Sequence, residues 1–329
     1  MWYSKDFKDY ELLDASDGER LERWGEIILV RPDPQVLWHG RRDHPLWNKF
    51  DARYHRSQKG GGAWEFRGGK KNPIFDSGWT IKYKDLTFKV CPTGFKHTGV
   101  FPEQAVNWDF QREMIGNAVK SGKKVSVLNL FAYTGGATLA CASAGASVCH
   151  VDASRGMTAW AKENAALSGL SDAPIRYIVD DCKKFLEREI RRGHKYDALI
   201  MDPPSYGRGP SGELWRLEDG ADELCALCAE VLADDPLFVL FNSYTTGLSA
   251  STVGYLMELH FGKRFGGIVT ADEVGIPVTQ TGGILPAGAA SRAYGAAERS
   301  IAAKLNSDGR NSMSHYLCYV GKKFISVKS

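Results

Sequence analysis

Val127-Leu128-Asn129-Leu130-Phe131-Ala132-Tyr133-Thr134-Gly135-Gly136 joins an apolar run to a pair of glycines. The run Val125–Leu130 reads as a strand buried on both faces. The glycines close it with a strand-to-helix turn whose backbone can approach a ligand. A helix of small residues follows over 135–144, and the rhythm repeats downstream: strand Ser147–Val151, helix 155–168, strand Ile175–Val179, helix 182–192, strand Ala198–Met201, helix 217–233, strand Leu237–Phe241. A helix over 104–120 precedes the first strand. Alternation of this kind predicts an α/β fold, a doubly wound and mostly parallel sheet with helices on both faces. Residues 266–294 are β-like around Thr281-Gly282-Gly283 and predict an antiparallel edge hairpin, which brings the sheet to seven strands. Ligands then sit at the carboxyl ends of the strands, near the switch in strand order.

Upstream the pattern differs. Tyr10–Leu13, an Asp17-Gly18 turn and Ile27–Val30 ending at Pro32 predict a β meander, and Trp79–Tyr83 with Leu86–Val90 a hairpin around Lys84-Asp85. Residues 56–73, rich in Gly and Lys, predict an exposed loop. We therefore divide the chain into a small β-rich N-terminal domain (1–94), an α/β domain (95–294) and an extension (295–329) without a clear pattern, in which Ser307–Ser312 reads as loop.

The 329 residues are 43% hydrophobic and 25% charged, with mean hydropathy −0.30. That is globular composition, and it excludes collagen, a wholly disordered chain and a disulfide scaffold. No apolar run approaches the roughly 18 residues of a membrane span. The polar Met1–Asp6 start does not read as a signal peptide, and seven sparse cysteines fit a reducing cytoplasm. Net charge is +3, and the whole excess lies in residues 1–94, with 17 Lys and Arg against 14 Asp and Glu. Within it, residues 41–71 hold nine basic side chains (Arg41, Arg42, Lys49, Arg53, Arg56, Lys59, Arg67, Lys70, Lys71) against three acidic ones. Trp47, Phe50, Tyr54, Trp64 and Phe66 are interleaved. Such a stretch either contacts RNA through phosphate pairing and base stacking, or is a solvated loop over a small aromatic core.

The strand ends carry the chemistry. The glycine turn lacks the G-x-G-x-x-G spacing of a dinucleotide site, which disfavours a nicotinamide enzyme. The second strand ends in Asp152-Ala153-Ser154, where an acid can accept both hydroxyls of a ribose. The third ends in Asp180-Asp181-Cys182, where an acid can accept an adenine amine. Each of these acids is also a good helix cap. In order, the three ends fit an adenosine ligand without phosphate, the shape of S-adenosylmethionine. The fourth strand ends in Met201-Asp202-Pro203-Pro204-Ser205-Tyr206. Two prolines remove backbone donors, leaving a carboxylate and carbonyls to hold an amine or planar base, with Tyr206 placed to stack on it. Gly207–Gly212 reads as a flexible basic loop that could act as a lid or phosphate contact. Cys225-Ala226-Leu227-Cys228 has no second pair at zinc spacing and reads as helix packing. The histidines, among them His39, His44 and His55, are scattered, so no metal is expected.

With these residues in place, the chain resembles the class I S-adenosylmethionine-dependent methyltransferases, and within them the group of the bacterial large-subunit ribosomal RNA methyltransferases I and K. The resemblance rests on Val127–Gly136, Asp152, Asp181 and Asp202-Pro203-Pro204, together with Phe95–Gln104 and Gly282–Gly288, and covers roughly residues 79–294. It implies the Rossmann-like methyltransferase sheet and cofactor contacts at Phe101, Gln104, the Asn129–Gly135 turn (Asn129, Phe131, Tyr133, Thr134, Gly135), Asp152, Asp181 and Asp202. Ala153, Ser154 and Cys182, beside two of the acids, join the candidate cofactor residues. The resemblance also implies a β-rich N-terminal region that helps hold RNA. Relatives that methylate cytosine carbon 5 need a thiolate, and the turn Phe241-Asn242-Ser243-Tyr244-Thr245-Thr246-Gly247 has no cysteine. It looks like the turn of relatives that methylate a guanine ring nitrogen, by direct in-line transfer.

The expected activity is methyl transfer from S-adenosylmethionine to RNA, foremost a base of ribosomal RNA, in the cytoplasm. The candidate catalytic residues are Asp202 and the Pro203 carbonyl to orient the acceptor, Tyr206 to stack on it, and Asn242 to bond its edge. Two other readings stay open: a methyltransferase for a protein or small-molecule amine, and a non-catalytic RNA-binding protein that keeps the cofactor fold. RNA is the expected partner, no membrane is, and a homo-oligomer is left open.

Overall fold

A computed structural model gives the fold and describes residues 1–57, 61–69, 72–208, 214–245 and 247–295. The N-terminal part is a sheet of β1 (Tyr10–Ser16), β2 (Glu19–Trp24), β3 (Ile27–Pro32), β4 (Ala52–Arg56) and β5 (Gly62–Phe66), paired in that order. All pairs are antiparallel except β3 with β4. Asp17 and Gly18 both take positive φ, 56° and 75°, which gives a two-residue hairpin the twist of its strands. The loop expected over 56–73 is corrected by β5. The glycines on either side of it mask the Trp64 and Phe66 alternation, yet pairing with β4 sets Trp64 edge-on to Tyr54 at 5.3 Å and Phe66 against Phe75 at 4.9 Å. A one-turn helix α1 (Ile74–Ser77) leads to the hairpin β6 (Trp79–Tyr83) and β7 (Leu86–Val90), as its alternation predicts.

The α/β part runs α2 (Ala105–Lys120), β8 (Ser126–Leu130), α3 (Gly136–Ser143), β9 (Ser147–Asp152), α4 (Arg155–Leu167), β10 (Ile175–Val179), α5 (Cys182–Arg192) and β11 (Ala198–Met201). A small hairpin, β12 (Tyr206–Arg208) and β13 (Leu214–Arg216), precedes α6 (Leu217–Glu230), β14 (Phe238–Ser243), α7 (Ala250–Met257), β15 (Ile268–Pro277) and β16 (Ile284–Tyr294). The seven-stranded sheet has the order β10-β9-β8-β11-β14-β16-β15, and only β16 runs antiparallel to its neighbours. This is the doubly wound, mostly parallel sheet of the sequence reading. Helix α6 stops before the expected residue 233 because the chain turns back to pair with Tyr196: Tyr196 N bonds Val231 O and Ala233 N bonds Tyr196 O, each at 2.9 Å. Residues 296–329, including the expected loop at Ser307–Ser312, lie outside the described residues. No described helix is long and apolar enough to cross a membrane.

Alternate residues along each central strand feed opposite cores. Leu128, Val151, Leu199 and Phe241 pack under α5, α6 and α7, whereas Val127, Val148, Ile200 and Leu240 pack under α2 and α3. A third core joins the N-terminal sheet and the β6–β7 hairpin to α2, α3 and α4. Its pivot is Trp108 of α2, whose ring lies 6.2 Å from Phe7, 5.5 Å from Tyr83 and 5.2 Å from Phe88. We predict that Trp108→Ala destabilises the protein by about 3–5 kcal/mol, the usual loss for a buried aromatic. Urea denaturation reads this directly, and a loss under about 1 kcal/mol would show that the ring is no anchor.

Candidate active site

The turn after β8 is held in an uncommon shape. Phe131 and Tyr133, neither of them glycine, sit in the left-handed region at φ 56° and 51°, and Gly135 follows at 89°. Such residues are strained unless neighbours over-determine them. Here Tyr133 N donates to Asp152 Oδ2 at 2.8 Å, the Thr134 hydroxyl bonds the Gly99 carbonyl, and Asn164 Nδ2 bonds the Thr134 carbonyl at 2.9 Å. Asn129 is buried and donates to Thr138 Oγ1 at 2.9 Å.

Asp152 ends β9 and accepts two backbone amides, Tyr133 N on Oδ2 and Ser154 N on Oδ1, each at 2.8 Å. A carboxylate can accept about four such bonds, so capacity remains for a ligand. Burial pushes its pKa up, against the two amides. Ser154 caps α4 by accepting Met157 N at 3.3 Å, with Ala153 between it and Asp152. Asp181 caps α5, its Oδ1 accepting Lys184 N at 2.9 Å, and Asp180 pairs with Arg188. Cys182 is buried beneath this end, and burial pushes its thiol well above the usual range.

A cavity of about 490 Å³ opens at the ends of β8, β9 and β11. One wall is Phe101, Phe131, Tyr133, Asp152, Asp202, Pro203, Pro204 and Tyr244; the other includes Arg20, Arg31, Lys96 and His97. A smaller recess beside it is lined by Gln104, Asn129, Thr134, Asp202 and Asn242, among others. The structure therefore brings together Phe101, Gln104, Asn129, Phe131, Tyr133, Thr134, Asp152, Asp202, Pro203 and Asn242. Gly135, Ala153, Ser154, Asp181 and Cys182 are not on these walls.

Asp202 sits where desolvation, then the neighbouring Glu103, push its carboxyl up to about 7. Glu103 is itself buried and raised. Behind them runs a polar row. Gln104 Nε2 donates to the Tyr244 hydroxyl at 2.6 Å, Asn107 Nδ2 to Gln104 Oε1 at 2.9 Å and to Asn242 Oδ1 at 3.1 Å, and Arg292 Nη2 to Asn107 Oδ1 at 2.8 Å. The Arg292 guanidinium is fully buried, 4.0 Å from the Trp2 ring centre and 4.4 Å from that of Phe110.

Three expectations change. Tyr206 does not face the cavity: it opens β12 and is 55% exposed. The chain after Pro204 turns directly into the β12–β13 hairpin. Trp215 of that hairpin donates to the Pro204 carbonyl at 2.8 Å, with its ring 6.3 Å from Phe131, and is not on the cavity walls either. The Pro204 carbonyl is thus engaged. The interleaved aromatics of 41–71 turn inward, Trp47 and Tyr54 being buried and Trp64 bonding the Thr93 carbonyl at 2.9 Å. Of the charges, Arg42 pairs with Asp17 and Glu19, and Arg53 with Glu19, whereas Arg41, Lys49, Arg56 and Arg67 are exposed. Of the loop expected over Gly207–Gly212, Gly207 and Arg208 belong to β12, and the rest, like Lys59, Lys70 and Lys71, lies outside the described residues. Cys225 and Cys228 are buried in α6, and no metal-binding cluster exists among the described residues. Sequence reasoning missed Tyr244, Glu103, Arg20, Arg31 and Lys96 as cavity residues. Tyr244, Glu103 and Lys96 lay inside segments already singled out.

A family model described as S-adenosylmethionine-dependent methyltransferase matches residues 52–216, half of the chain. The protein belongs to that family, and its methyl donor is S-adenosylmethionine. Its fold is close to that of a SAM-dependent methyltransferase from Agrobacterium tumefaciens: 36% identity, TM-score 0.81, covering 89% of this chain and 92% of that one. A Streptococcus mutans structure, 19% identical at TM-score 0.65, shares the fold. Among curated relatives, ribosomal RNA large subunit methyltransferase K/L of Shewanella frigidimarina is 33% identical over 201 residues, 61% of this chain and 24% of that protein. The Shewanella oneidensis counterpart is 36% identical over 136 residues, 41% of this chain and 17% of that one. The chain thus spans about a quarter or less of these relatives.

The buried Asp202 generates a prediction. Its pKa is near 3.8 when unfolded and about 7 when folded, so between these values the folded state holds more protons and stability falls as pH rises. Asp202→Asn removes that titration. Melting temperatures of the cofactor-free protein should diverge in favour of the variant as pH goes from about 4 to 7, then run parallel. A constant gap would show that the carboxyl is solvated.

Proposed function

We propose that this methyltransferase acts on a base nitrogen of RNA, with ribosomal RNA as its substrate. The observation that carries the reading is the shared cavity: the adenosine-sized turn and Asp152 at one side, Asp202 and Pro203 in the middle, and a cationic wall opposite. When bound there, S-adenosylmethionine supplies an electrophilic methyl group. The chain's own residues would hold it through the Asn129–Gly135 backbone, the rings of Phe101, Phe131 and Tyr133, and the two open lone pairs of Asp152 toward the ribose. Gln104 and Asn129 border the recess where the polar row of α2 ends. Asp202 and the Pro203 carbonyl accept from N–H groups of the acceptor base, which fixes its lone pair in line with the methyl group, so that positioning supplies most of the rate. Asn242 is held by Asn107 and meets the base edge. No cysteine lines the described cavity, which supports a nitrogen acceptor over a pyrimidine carbon. The curated relatives, ribosomal RNA methyltransferases by name, support an RNA substrate. The 1–94 unit is proposed as the part that grips the strand, with its exposed cations rather than its aromatics.

Two measurements follow. Tritiated methyl transfer to total RNA from a strain lacking the gene, with nucleoside analysis, should place label on a ring or exocyclic nitrogen. Label on free amines or protein alone would move the substrate class, and cofactor binding without turnover on any RNA would reject catalysis. Asp152→Ala should weaken S-adenosylhomocysteine binding by about 1.5–3 kcal/mol, tenfold or more. Unchanged affinity by calorimetry would remove Asp152 from the site.

A further inference from the structure

The two walls of the cavity differ in kind. The strand-end wall offers acceptors. The opposite wall comes from the N-terminal sheet and the 91–101 loop, and offers Arg20 of β2, Arg31 at the end of β3, and Lys96. Two of these cations are matched by carboxylates. Arg31 grips the fully buried Glu22 through Nε and Nη2 at 2.6 and 2.7 Å, and its Nη1 bonds the Lys96 carbonyl at 3.0 Å. Arg20 pairs with Asp33. Lys96 is different. Among the described residues no carboxylate lies within ion-pair distance of its ammonium, whose hydrogen bond goes to the Pro32 carbonyl at a long 3.4 Å.

The ammonium is also crowded by like charge. Burial and then Arg31 push its pKa down, Arg20 and Arg56 add to the depression, and Asp33 works the other way. His97 beside it is held neutral at physiological pH, pushed down to about 4 by burial, Arg31 and Lys96. Folding gains nothing from a half-buried cation set against three guanidinium groups. An anion seated there relieves the repulsion, and a phosphate oxygen meets both the ammonium and the unspent N–H groups of Arg20.

We propose that Lys96, with Arg20 and Arg31 behind it, seats a phosphodiester of the acceptor strand beside the nucleotide whose base reaches Asp202. This rests on the RNA reading above and fixes where the strand's backbone lies. Phosphate contacts position a strand and base contacts specify it, so Lys96 sets register for Asp202 and Pro203 to act on.

Lys96→Met keeps the apolar stem and removes the charge; Lys96→Arg keeps the charge. Three measurements on the full chain test the proposal: affinity for transcribed large-subunit ribosomal RNA across salt concentrations, calorimetry of S-adenosylhomocysteine, and binding of the four nucleoside 5′-monophosphates against their nucleosides by the S-adenosylhomocysteine-loaded protein. Lys96→Met should lower the salt slope by about 0.7 and weaken RNA binding several-fold, leave S-adenosylhomocysteine affinity unchanged, and abolish a wild-type preference for monophosphate over nucleoside. Lys96→Arg should restore all three. An unchanged slope overturns the proposal. So does a loss confined to S-adenosylhomocysteine, which would assign Lys96 to the cofactor carboxylate. Wild-type protein that binds no RNA defeats the RNA reading by itself. The monophosphates then decide this one: preference for them keeps the anion seat for a free nucleotide, and equal binding removes it.

Discussion

The site depends on keeping a strained turn in place. Two side-chain-bearing residues, Phe131 and Tyr133, occupy left-handed backbone, at about 1–3 kcal/mol each. Three separate elements hold them there: Asp152 from β9, Gly99 from the 91–101 loop and Asn164 from α4. The turn is therefore a junction, and its shape records how those three elements meet. Gly99 is fixed in turn, with φ at 101° and a position where a Cβ would lie 2.5 Å from the Trp160 ring. Trp160 bonds the Lys89 carbonyl at 3.1 Å, so the loop, α4 and the β6–β7 hairpin are one mechanical unit.

On the far side of the cavity a second constraint operates. Gln104, Asn107 and Asn242 would be expensive to bury alone. They are satisfied in series, ending on Arg292 of β16. Arg292 is met by two ring faces and by Asn107, and its pKa is drawn down to about 9 by burial. The recess is thereby lined with oriented dipoles, while Asp202 and Glu103 sit in surroundings that disfavour their charge. Such surroundings favour a cationic ligand over water.

The central strands were legible because burial on both faces leaves continuous apolar runs, and Val125–Leu130 or Ala198–Met201 can be little else. The glycine turn, Asp152 and Asp202-Pro203 were legible because they stand at strand ends. What was hidden has two causes. Asp181 and Ser154 are residue types that serve ligands and helix caps equally, and the structure shows each accepting a cap bond, from Lys184 N and Met157 N. Arg20 and Arg31 look like ordinary strand residues, and they become a wall only when distant segments converge. Part of the charge of 41–71 is met from outside that window: Asp17 and Glu19 pair with Arg42 and Arg53.

The seam between the two sheets has a further consequence. Trp2 exchanges hydrogen bonds with Glu273 and Gly275 at 2.7 and 2.9 Å, and Leu12 and Leu13 accept from Thr279 and Gln280, each at 2.9 Å. Strand β15 thus clasps the N-terminal segment. Pairing across so much chain forms late, because the closure entropy must be spent before the contact rewards it. On the ribosome, the N-terminal segment has no strand to clasp it until β15 emerges. The nascent chain can assemble its cofactor turn early, but the clasp that fastens the N-terminal sheet, and with it the cationic wall, is among the last contacts to form, which separates the time at which the protein can hold a methyl donor from the time at which it can grip a substrate firmly.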